Sequence, residues 1–303
     1  MKFTVSITTC NRAESLARTL DAVGAQDYDV GDFEVIVADN GSTDHTKSVC
    51  DAAASQIADF TYIHDARPGQ MVGWHLALAK ASGDITCFID DDVCPGLTWL
   101  GALADAFADQ GVGLATGPIR LAFEAPPPDW LAFLTLGEPG GQTLPFLGLL
   151  DAGPAVRDIP NNMVWGSNFA VRRSVLLDVG GFHPCAMPAS LIRFYGDGEV
   201  HVGRAAGALG YKARYHPDAG GDHHIPARRM SLDAVYAKFV TSGCARAFQT
   251  LRADGETFAV PSDEEIALIA ARYFREPADA PGDLVARVEK GLKDGMTAQL
   301  DSF

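Results

Sequence analysis

The sequence predicts an α/β protein in which a mostly parallel sheet is flanked by helices. Three observations lead to this prediction. Short β-rich segments alternate with segments of helical spacing through the first third of the chain. The predicted strands are almost continuously apolar, which is typical of parallel strands covered on both faces. The 303 residues, of which 47% are hydrophobic and 21% charged, suit one large domain with an added segment.

The first third of the chain supplies four predicted strands and the helices between them. Apolar residues repeat at helical spacing in the first helix, where Leu16, Leu20 and Val23 share one face. The predicted strands are 3–8, 33–38, 60–64 and 85–89, and the predicted helices between them are 14–23, 46–57 and 72–81. Later in the chain a strand runs into a helix over 168–179, followed by a helix at 199–209 and a strand at 211–215.

The middle and the end of the chain follow different patterns. Residues 126–160 are rich in Gly, Pro and Leu, and they are predicted to form a long loop at the active site. After residue 225 the pattern becomes helical, with Ser231 as an N-cap and Ser262 opening a capping box. We therefore predict a main domain over 1–225 and a helical C-terminal extension over 226–303. The predicted helices of the extension are 231–252, 262–275 and 282–300.

The charge and the cysteines exclude several classes of protein. Lys and Arg number 24 and Asp and Glu 39, so the net charge is −15. Binding to nucleic acid or to anionic membranes needs clustered cations, so neither is expected. The six cysteines are widely spaced, and the sequence has neither a signal-peptide pattern at its start nor an apolar run long enough for a transmembrane helix. We therefore expect reduced thiols and a cytoplasmic location.

Carboxylates follow two of the predicted strands at the edge where ligands of open α/β sheets bind. Asp90, Asp91 and Asp92 close the fourth strand, and Asp39 closes the second. Two carboxylates ~4 Å apart repel each other by about 1 kcal/mol even in water, and a divalent cation relieves that repulsion. The alternatives are a solvated turn for the triplet and a turn-forming role for Asp39. Neither a dinucleotide fingerprint nor a P-loop motif is present in the sequence.

Five segments in order resemble family 2 glycosyltransferases, which are inverting enzymes with the GT-A fold. They are VSITTCNR, VADNGSTD, FIDDD, GSNFAVRRSVLLDVGGF and GDGEVHVGRAAGALGYKARYHPDA, and the resemblance covers roughly residues 2–225. It implies a GT-A catalytic domain over 1–225, with a nucleotide-sugar half of about 1–120 and an acceptor half of about 121–225. It also implies transfer of a sugar from a nucleoside-diphosphate sugar, by default a UDP-sugar, to an acceptor hydroxyl group.

The resemblance implies a donor site and a site for Mn²⁺ or Mg²⁺. The DxD-type motif of the family maps to Asp90 and Asp92, with Asp90 near the ribose and Asp91 as a further partner. Asp92 and His223 are the implied metal ligands, and His224 is the alternative histidine. Arg228 or Arg229 closes over the diphosphate, or either is ordinary surface charge. The implied nucleotide-sugar-binding residues are Thr8, Thr9, Asn11, Arg12, Asp39, Gln70, Asp90 and Asp91.

One pair of residues departs from the family's pattern. Trp74 and His75 stand where the family usually has an Arg-Asn pair. Gln70 and Arg67 are the residues that could substitute for that pair. The alternative for Trp74 is a buried position on a helix face.

The resemblance also implies a catalytic base and an acceptor wall. Asp197 matches the base, and a slip of the match makes Glu199 the base; helix N-terminal capping is the alternative for either residue. The predicted residues of the acceptor or sugar wall are Trp165, Gly166, Ser167 and Asn168, and a core position is the alternative for Trp165.

The acceptor is expected to be a saccharide, a lipid-linked sugar or a small molecule. The C-terminal helices either hold this acceptor or form a homo-oligomer contact. Two other functions are weighed against sugar transfer: a non-catalytic sugar-nucleotide-binding protein of the same fold, and a metal-dependent phosphohydrolase.

Overall fold

The computed structural model describes residues 1–138, 140–253 and 258–301. Pro139 of the predicted loop, and residues 254–257 and 302–303 of the predicted extension, lie outside the described residues. The strands are β1 Phe3–Thr9, β2 Phe33–Asp39, β3 Phe60–His64, β4 Ile85–Asp90, β5 Val93–Pro95, β6 Val112–Thr116, β7 Ile119–Phe123, β8 Leu136–Glu138, β9 Gly141–Leu144, β10 Leu149–Asp151, β11 Arg157–Ile159, β12 Asn168–Arg172, β13 Lys212–Tyr215 and β14 Gly221–Ile225. The α-helices are α1 Ala13–Gly24, α2 Thr46–Ala53, α3 Gln70–Lys80, α4 Trp99–Ala106, α5 Leu131–Leu134, α6 Arg173–Asp178, α7 Gly198–Ala208, α8 Leu232–Phe248, α9 Asp263–Ala271 and α10 Gly282–Leu300.

An eight-stranded mixed sheet forms the centre of the molecule, in the order β11-β13-β6-β12-β4-β1-β2-β3. The β1 strand pairs in parallel with β2 and β4, and β2 pairs in parallel with β3. The β12 strand is antiparallel to both of its neighbours, β4 and β6. Every residue of β1 and β2 is buried, as continuously apolar strands between two helical layers should be. The predicted α/β class with a mixed, mostly parallel sheet is confirmed.

A second sheet of six short strands lies beside the first, in the order β5-β14-β7-β10-β9-β8. It corrects the prediction of a long loop over 126–160, because α5 and the strands β8 to β11 fall within that segment. These elements are only three or four residues long, too short for an alternating pattern to appear in the sequence. The turns between them use glycine, as at Gly148 and Gly153, which both have a positive φ.

The helices after residue 225 pack on this second sheet through a core of their own. Leu144 and Ile225 from the sheet side contact a cluster that includes Phe239, Leu292 and Met296 from α8 and α10. A capping box at Ser262 begins α9, as predicted, with the Ser262 hydroxyl accepting from the backbone N–H of Glu265. Within the described ranges, no helix combines the length and the apolar character needed to cross a membrane. The boundary at 225 remains a prediction.

The α8 and α10 helices approach each other unusually closely. A Cβ atom added at Gly243, Gly291 or Gly295 would lie less than 3.0 Å from a backbone atom of the facing helix. Glycine is therefore required at these positions by the short distance between the helix backbones. This contact fixes the position of α8 relative to the rest of the extension.

Candidate active site

The carboxyl ends of β1, β2 and β4 meet at one edge of the large sheet. In the register of these parallel strands, Thr8 lies opposite Asp90 and Thr9 lies opposite Asp39. The predicted site residues on three separate segments are therefore neighbours because the backbone hydrogen-bond pattern aligns the strand ends. This is the edge at which open α/β sheets bind ligands.

The loops after β1 and β2 are tied together around Asp39. Asp39 is buried, and its carboxylate accepts from the backbone N–H of Ser42 at 2.8 Å and from the hydroxyl of Tyr62 at 2.7 Å. Asn11 has a positive φ of 52°, and its side-chain oxygen accepts from the backbone N–H of Thr43 at 2.8 Å. Thr8 is buried against α3, where Gly73 leaves room for it.

Asp91 contacts Thr9 and Arg12. Its carboxylate accepts from the Thr9 hydroxyl at 2.6 Å and lies 2.8 Å from the Arg12 guanidinium. Burial raises the pKa of Asp91 to about 7, although Arg12 and Thr9 act in the opposite direction. Arg12 also pairs with Asp92, so one guanidinium binds two members of the triplet.

Asp90, Asp92 and His223 form a cluster that could hold a metal ion. One ligand atom from each lies within 4.8 Å of the others. The β14 strand pairs with β5 so that His223 lies opposite Val93, and Nε2 of His223 is 3.3 Å from Oδ1 of Asp92. Two carboxylates and an imidazole are a donor set that Mn²⁺ accepts readily.

The polar atoms of this cluster do not all have a hydrogen-bond partner in the described part of the protein. Asp92 Oδ1 and His223 Nδ1 are buried without a hydrogen-bond partner among the described residues. Gln70 donates to Asp90 at 2.6 Å, and Arg229 lies 3.2 Å from Nε2 of His223. Apart from the 3.3 Å contact with His223, Asp92 Oδ1 has no partner that satisfies it, and a buried polar atom without a hydrogen bond is costly, so the residues present fit a divalent cation.

The three acidic and basic groups of the cluster influence one another. Burial and the charge of Asp92 raise the pKa of Asp90. Burial alone would also raise the pKa of Asp92, but His223 and Arg12 outweigh burial and hold that pKa below its usual range. His224 takes no part in the cluster through its side chain, which lines a different cavity beside Arg12 and Arg228.

A cavity of about 370 Å³ opens next to the cluster. Eight of the predicted site residues line it: Gln70, Asp90, Trp165, Gly166, Ser167, Asp197, Glu199 and His223. The other eight predicted site residues do not line it: Thr8, Thr9, Asn11, Arg12, Asp39, Asp91, Asp92 and Asn168. Both base candidates and two members of the cluster, Asp90 and His223, thus face the cavity, while Asn11 and Arg12 line a different one.

The two base candidates have different surroundings. The Asp197 side chain is fully buried, with Oδ1 2.6 Å from Nδ1 of His183 and Oδ2 3.4 Å from Arg204 and 3.3 Å from Gln249. Glu199 instead accepts from the backbone N–H of Gly166 on the cavity wall, and burial raises its pKa. Both candidates are thus engaged: Asp197 by the side chains of His183, Arg204 and Gln249, and Glu199 by backbone N–H groups and by the Cys185 thiol at 4.0 Å.

Trp74 and His75, which depart from the family's pattern, both contact other residues of the protein, although His75 is exposed. Trp74 is fully buried, with its ring 4.7 Å from Phe88 and 4.7 Å from Phe182. His75 accepts from the backbone N–H of Phe182 at 3.1 Å. The buried alternative for Trp74 is therefore what the structure has, and Gln70 rather than Arg67 contacts the triplet.

Asn168, predicted as part of the acceptor wall, lies in the interior of the sheet. Its side-chain oxygen accepts from the Trp99 indole at 3.0 Å, and its amide donates to the backbone of Ala219 at 2.8 Å. As the first residue of a central strand it is surrounded by protein, whereas Gly166 and Ser167 precede the strand and reach the cavity.

One wall of the cavity consists of residues that were not named individually from the sequence, although segment 126–160 was expected at the active site and the C-terminal helices were one of two options for holding the acceptor. Residues of α8 line it, namely Lys238, Thr241, Ser242 and Ala245, and so does the turn of residues 145–148 between β9 and β10. The α8 positions repeat at intervals of three and four residues, so they share one helix face. This spacing can be seen in the sequence, but the neighbouring residues do not indicate what the helix face contacts.

Comparisons with known proteins agree with this geometry. Residues 4–180, more than half of the chain, match the family described as Glycosyl transferase family 2. The chain is 28% identical over 227 residues to Glycosyltransferase AglE of Haloferax volcanii, covering 74% of this chain and 66% of that protein. The chain spans less than two thirds of the length of the curated relatives that it matches first.

Solved structures of the GT-A fold also resemble this one. Mannosyltransferase PcManGT from Pyrobaculum calidifontis, solved with GDP-Man and Mn²⁺, has a TM-score of 0.59 at 21% identity, covering 96% of this chain and 73% of that chain. S. aureus TarS 1-349, solved with UDP-GlcNAc, has a TM-score of 0.55 at 15% identity, covering 99% and 91%. At these identities the likeness establishes the GT-A fold.

Proposed function

The chain belongs to glycosyl transferase family 2, and we propose that it transfers a sugar from a nucleoside-diphosphate sugar to an acceptor hydroxyl group with inversion at the anomeric carbon. One observation carries this proposal: Glu199 lines the same cavity as Asp90 and His223. An inverting displacement needs a base at the acceptor and stabilisation of charge on the leaving group.

In the proposed step, the acceptor oxygen attacks the anomeric carbon as the bond from that carbon to the diphosphate oxygen breaks. Glu199 takes the proton of the acceptor hydroxyl group, and the electron pair of the broken bond leaves with the nucleoside diphosphate. Both carboxylates line the cavity, and Glu199 is preferred to Asp197 for two reasons. Burial raises its pKa, which makes it a stronger base, and among the described residues no ion pair engages it, whereas Asp197 pairs with His183 and Arg204.

Asp197 has a positioning role in this proposal. It lies at the N-cap position of α7, and its bonds to His183, Arg204 and Gln249 hold the start of the helix that carries Glu199. A shift of about 1 Å in a base is enough to cost a large factor in rate.

The departing diphosphate lies, in this proposal, at the cluster of Asp90, Asp92 and His223. These residues would hold Mn²⁺ or Mg²⁺, and such an ion supplies positive charge that stabilises the leaving group. Mn²⁺ is the first choice because PcManGT was solved with it. Arg229, beside His223, is placed to contact the same phosphates.

The nucleotide is proposed to bind along the loops that end β1 and β2. Thr8 and Thr9 end β1, and Asn11 and Arg12 follow it. Asp39, held by Tyr62, accepts a hydrogen bond from the nucleobase in this proposal. UDP is the proposed nucleotide. GDP is the alternative to test, because the two structural relatives were solved with different nucleotides.

The experiment is a donor screen combined with two matched carboxylate variants. The purified chain is incubated with UDP-glucose, UDP-GlcNAc or GDP-mannose, with Mn²⁺ or with EDTA, and release of nucleoside diphosphate is measured. We expect Glu199→Gln to lower turnover by about 10²- to 10⁴-fold without weakening nucleoside-diphosphate binding. Asp197→Asn, which keeps the shape of the side chain, should cost on the order of tenfold.

Three outcomes would change the assignment. Normal turnover in Glu199→Gln, with a large loss in Asp197→Asn, would return the base role to Asp197. Binding of a nucleoside diphosphate without turnover of any donor would favour a non-catalytic binding protein. Release of phosphate from simple esters would favour a phosphohydrolase.

A further inference from the structure

The α8 helix provides a polar surface in the cavity that Glu199 also lines. Lys238, Thr241 and Ser242 line the cavity from one face of this helix. The hydroxyl groups of Thr241 and Ser242 donate to the backbone carbonyl of Lys238 at 2.7 and 3.1 Å. Their protons are therefore used within the helix, and the ammonium group of Lys238 is the strong donor that this face offers to a ligand.

The other charged groups of the cavity are already accounted for. Asp197 is paired with His183 and Arg204, and Arg229 contacts His223 at the metal-ligand cluster. Lys238 is exposed, and within the described part of the chain its ammonium group has no hydrogen-bond or ion-pair partner. The other cation of the cavity, Arg229, already contacts His223, so a cation without a partner among the described residues indicates an anionic ligand.

The location of Lys238 relates this ligand to the acceptor. Lys238 is close enough to Glu199 for its charge to lower the pKa of that carboxyl group, against the effect of burial. Glu199 is the group that takes the proton of the acceptor. An acceptor that carried its own negative charge next to Glu199 would be repelled by the carboxylate unless a cation stood beside it.

We infer that Lys238 binds an anionic group of the acceptor, a phosphate or a carboxylate close to the hydroxyl group that reacts. This inference rests on the proposed function, since it assigns the acceptor class for the same cavity. It commits to an oxyanion, which both phosphates and uronic acids possess, and the experiment distinguishes these two sources.

The test uses ligands that share one sugar ring and differ in charge. With the donor site saturated by UDP and Mn²⁺, or by GDP and Mn²⁺ if GDP binds more tightly, dissociation constants are measured by calorimetry for glucose, glucuronic acid, glucose 6-phosphate and glucose 1-phosphate. We expect at least one charged ligand to bind more tightly than glucose. We expect Lys238→Met to weaken that ligand about fivefold and to leave glucose unchanged. Lys238→Arg should retain most of the preference, because it keeps the charge.

A second lysine provides the control. Lys80 ends α3 with its side chain exposed and away from the cavity, so Lys80→Met should leave all four dissociation constants unchanged. Preference for glucuronic acid identifies a carboxylate as the anion, and preference for either sugar phosphate identifies a phosphate. Equal affinity for charged and neutral ligands, or an equal loss for all four in Lys238→Met, would overturn the inference. Failure of the wild-type chain to turn over any donor counts separately against the proposed function, because these binding constants do not depend on turnover.

Discussion

The strand side and the helical side of the cavity are positioned by different kinds of contact. Asp90 and His223, on the strand side, stand in β-ladders whose backbone hydrogen bonds set their register. Lys238 and Ser242, on the helical side, are placed by the packing of α8 against α10. A β-ladder depends little on which side chains it carries, whereas a close helix contact depends on each small residue in it. Single substitutions on the strand side should therefore mainly reduce metal binding or activity. Single substitutions on the helical side should mainly reduce the free energy of unfolding.

The largest effect is expected on the strand side. His223→Ala removes one ligand of the proposed metal site, and we expect on the order of 100-fold weaker activation by Mn²⁺ with little loss of stability. His224→Ala is the matched control, since that side chain faces a different cavity. Mn²⁺ titration of donor hydrolysis measures both variants. If both variants lost Mn²⁺ activation equally, substitutions on the strand side would also act by disturbing the structure.

The next effect is expected on the helical side. Gly295→Ala places a Cβ atom less than 3.0 Å from the backbone of Val240, so α8 and α10 must move apart. We expect the free energy of unfolding to fall by about 1–3 kcal/mol, measured with urea. Gly101→Ala on α4, where a Cβ meets no atom within 4 Å, should be neutral or stabilising by ~0.5–1 kcal/mol. If Gly295→Ala were as stable as Gly101→Ala, the contrast between the two sides would fail.

A smaller loss should follow from the cap of α9, which packs on the same helical core. Ser262→Ala removes the hydroxyl group of the capping box and should lower the free energy of unfolding by about 1 kcal/mol. Ser48→Ala, at an exposed position of α2, should change it by less than ~0.5 kcal/mol. Retained Mn²⁺ affinity in Ser262→Ala would show that the helical side can lose stability independently of the strand side.

The smallest expected effect is on the pKa of Glu199, which depends on residues from both sides of the cavity. Burial and Asp90 raise the pKa of Glu199, while Lys238 lowers it. The base must be ionised to accept a proton, so the rate falls as the pH drops through this pKa. Lys238→Met should raise the pKa further and move the acidic limb of the pH–rate profile up by a few tenths of a unit. A limb that stays in place, or moves as far in Lys80→Met, would contradict the electrostatic contact.

The sequence predicted the strand side far better than the helical side. The ends of β1, β2 and β4 could be placed because apolar runs stop at polar clusters, and parallel strands bring such clusters together. The short strands of 126–160 were missed because three or four residues carry no usable periodicity. Lys238 was missed because its helix face has an ordinary polar spacing.

The choice between Asp197 and Glu199 also lay beyond the sequence. The two residues are separated by one position at the start of α7, and either satisfies the requirement for a carboxylate. Their difference arises from His183 and Gln249, which engage Asp197, and from Gly166, which holds Glu199 at the cavity. All three contacts join segments far apart in the chain.

By itself, the sequence determined the α/β class, the family and the aspartates that follow the strands, because these depend on periodicity and on motifs within short segments. Only the tertiary structure decided that His223 and not His224 joins Asp90 and Asp92, and that Lys238 of α8 lines the same cavity as Glu199. The physical reason is that a carboxylate, an imidazole or an ammonium group acts over a few ångströms. Which groups come within that distance is settled by strand pairing and helix packing between remote parts of the chain.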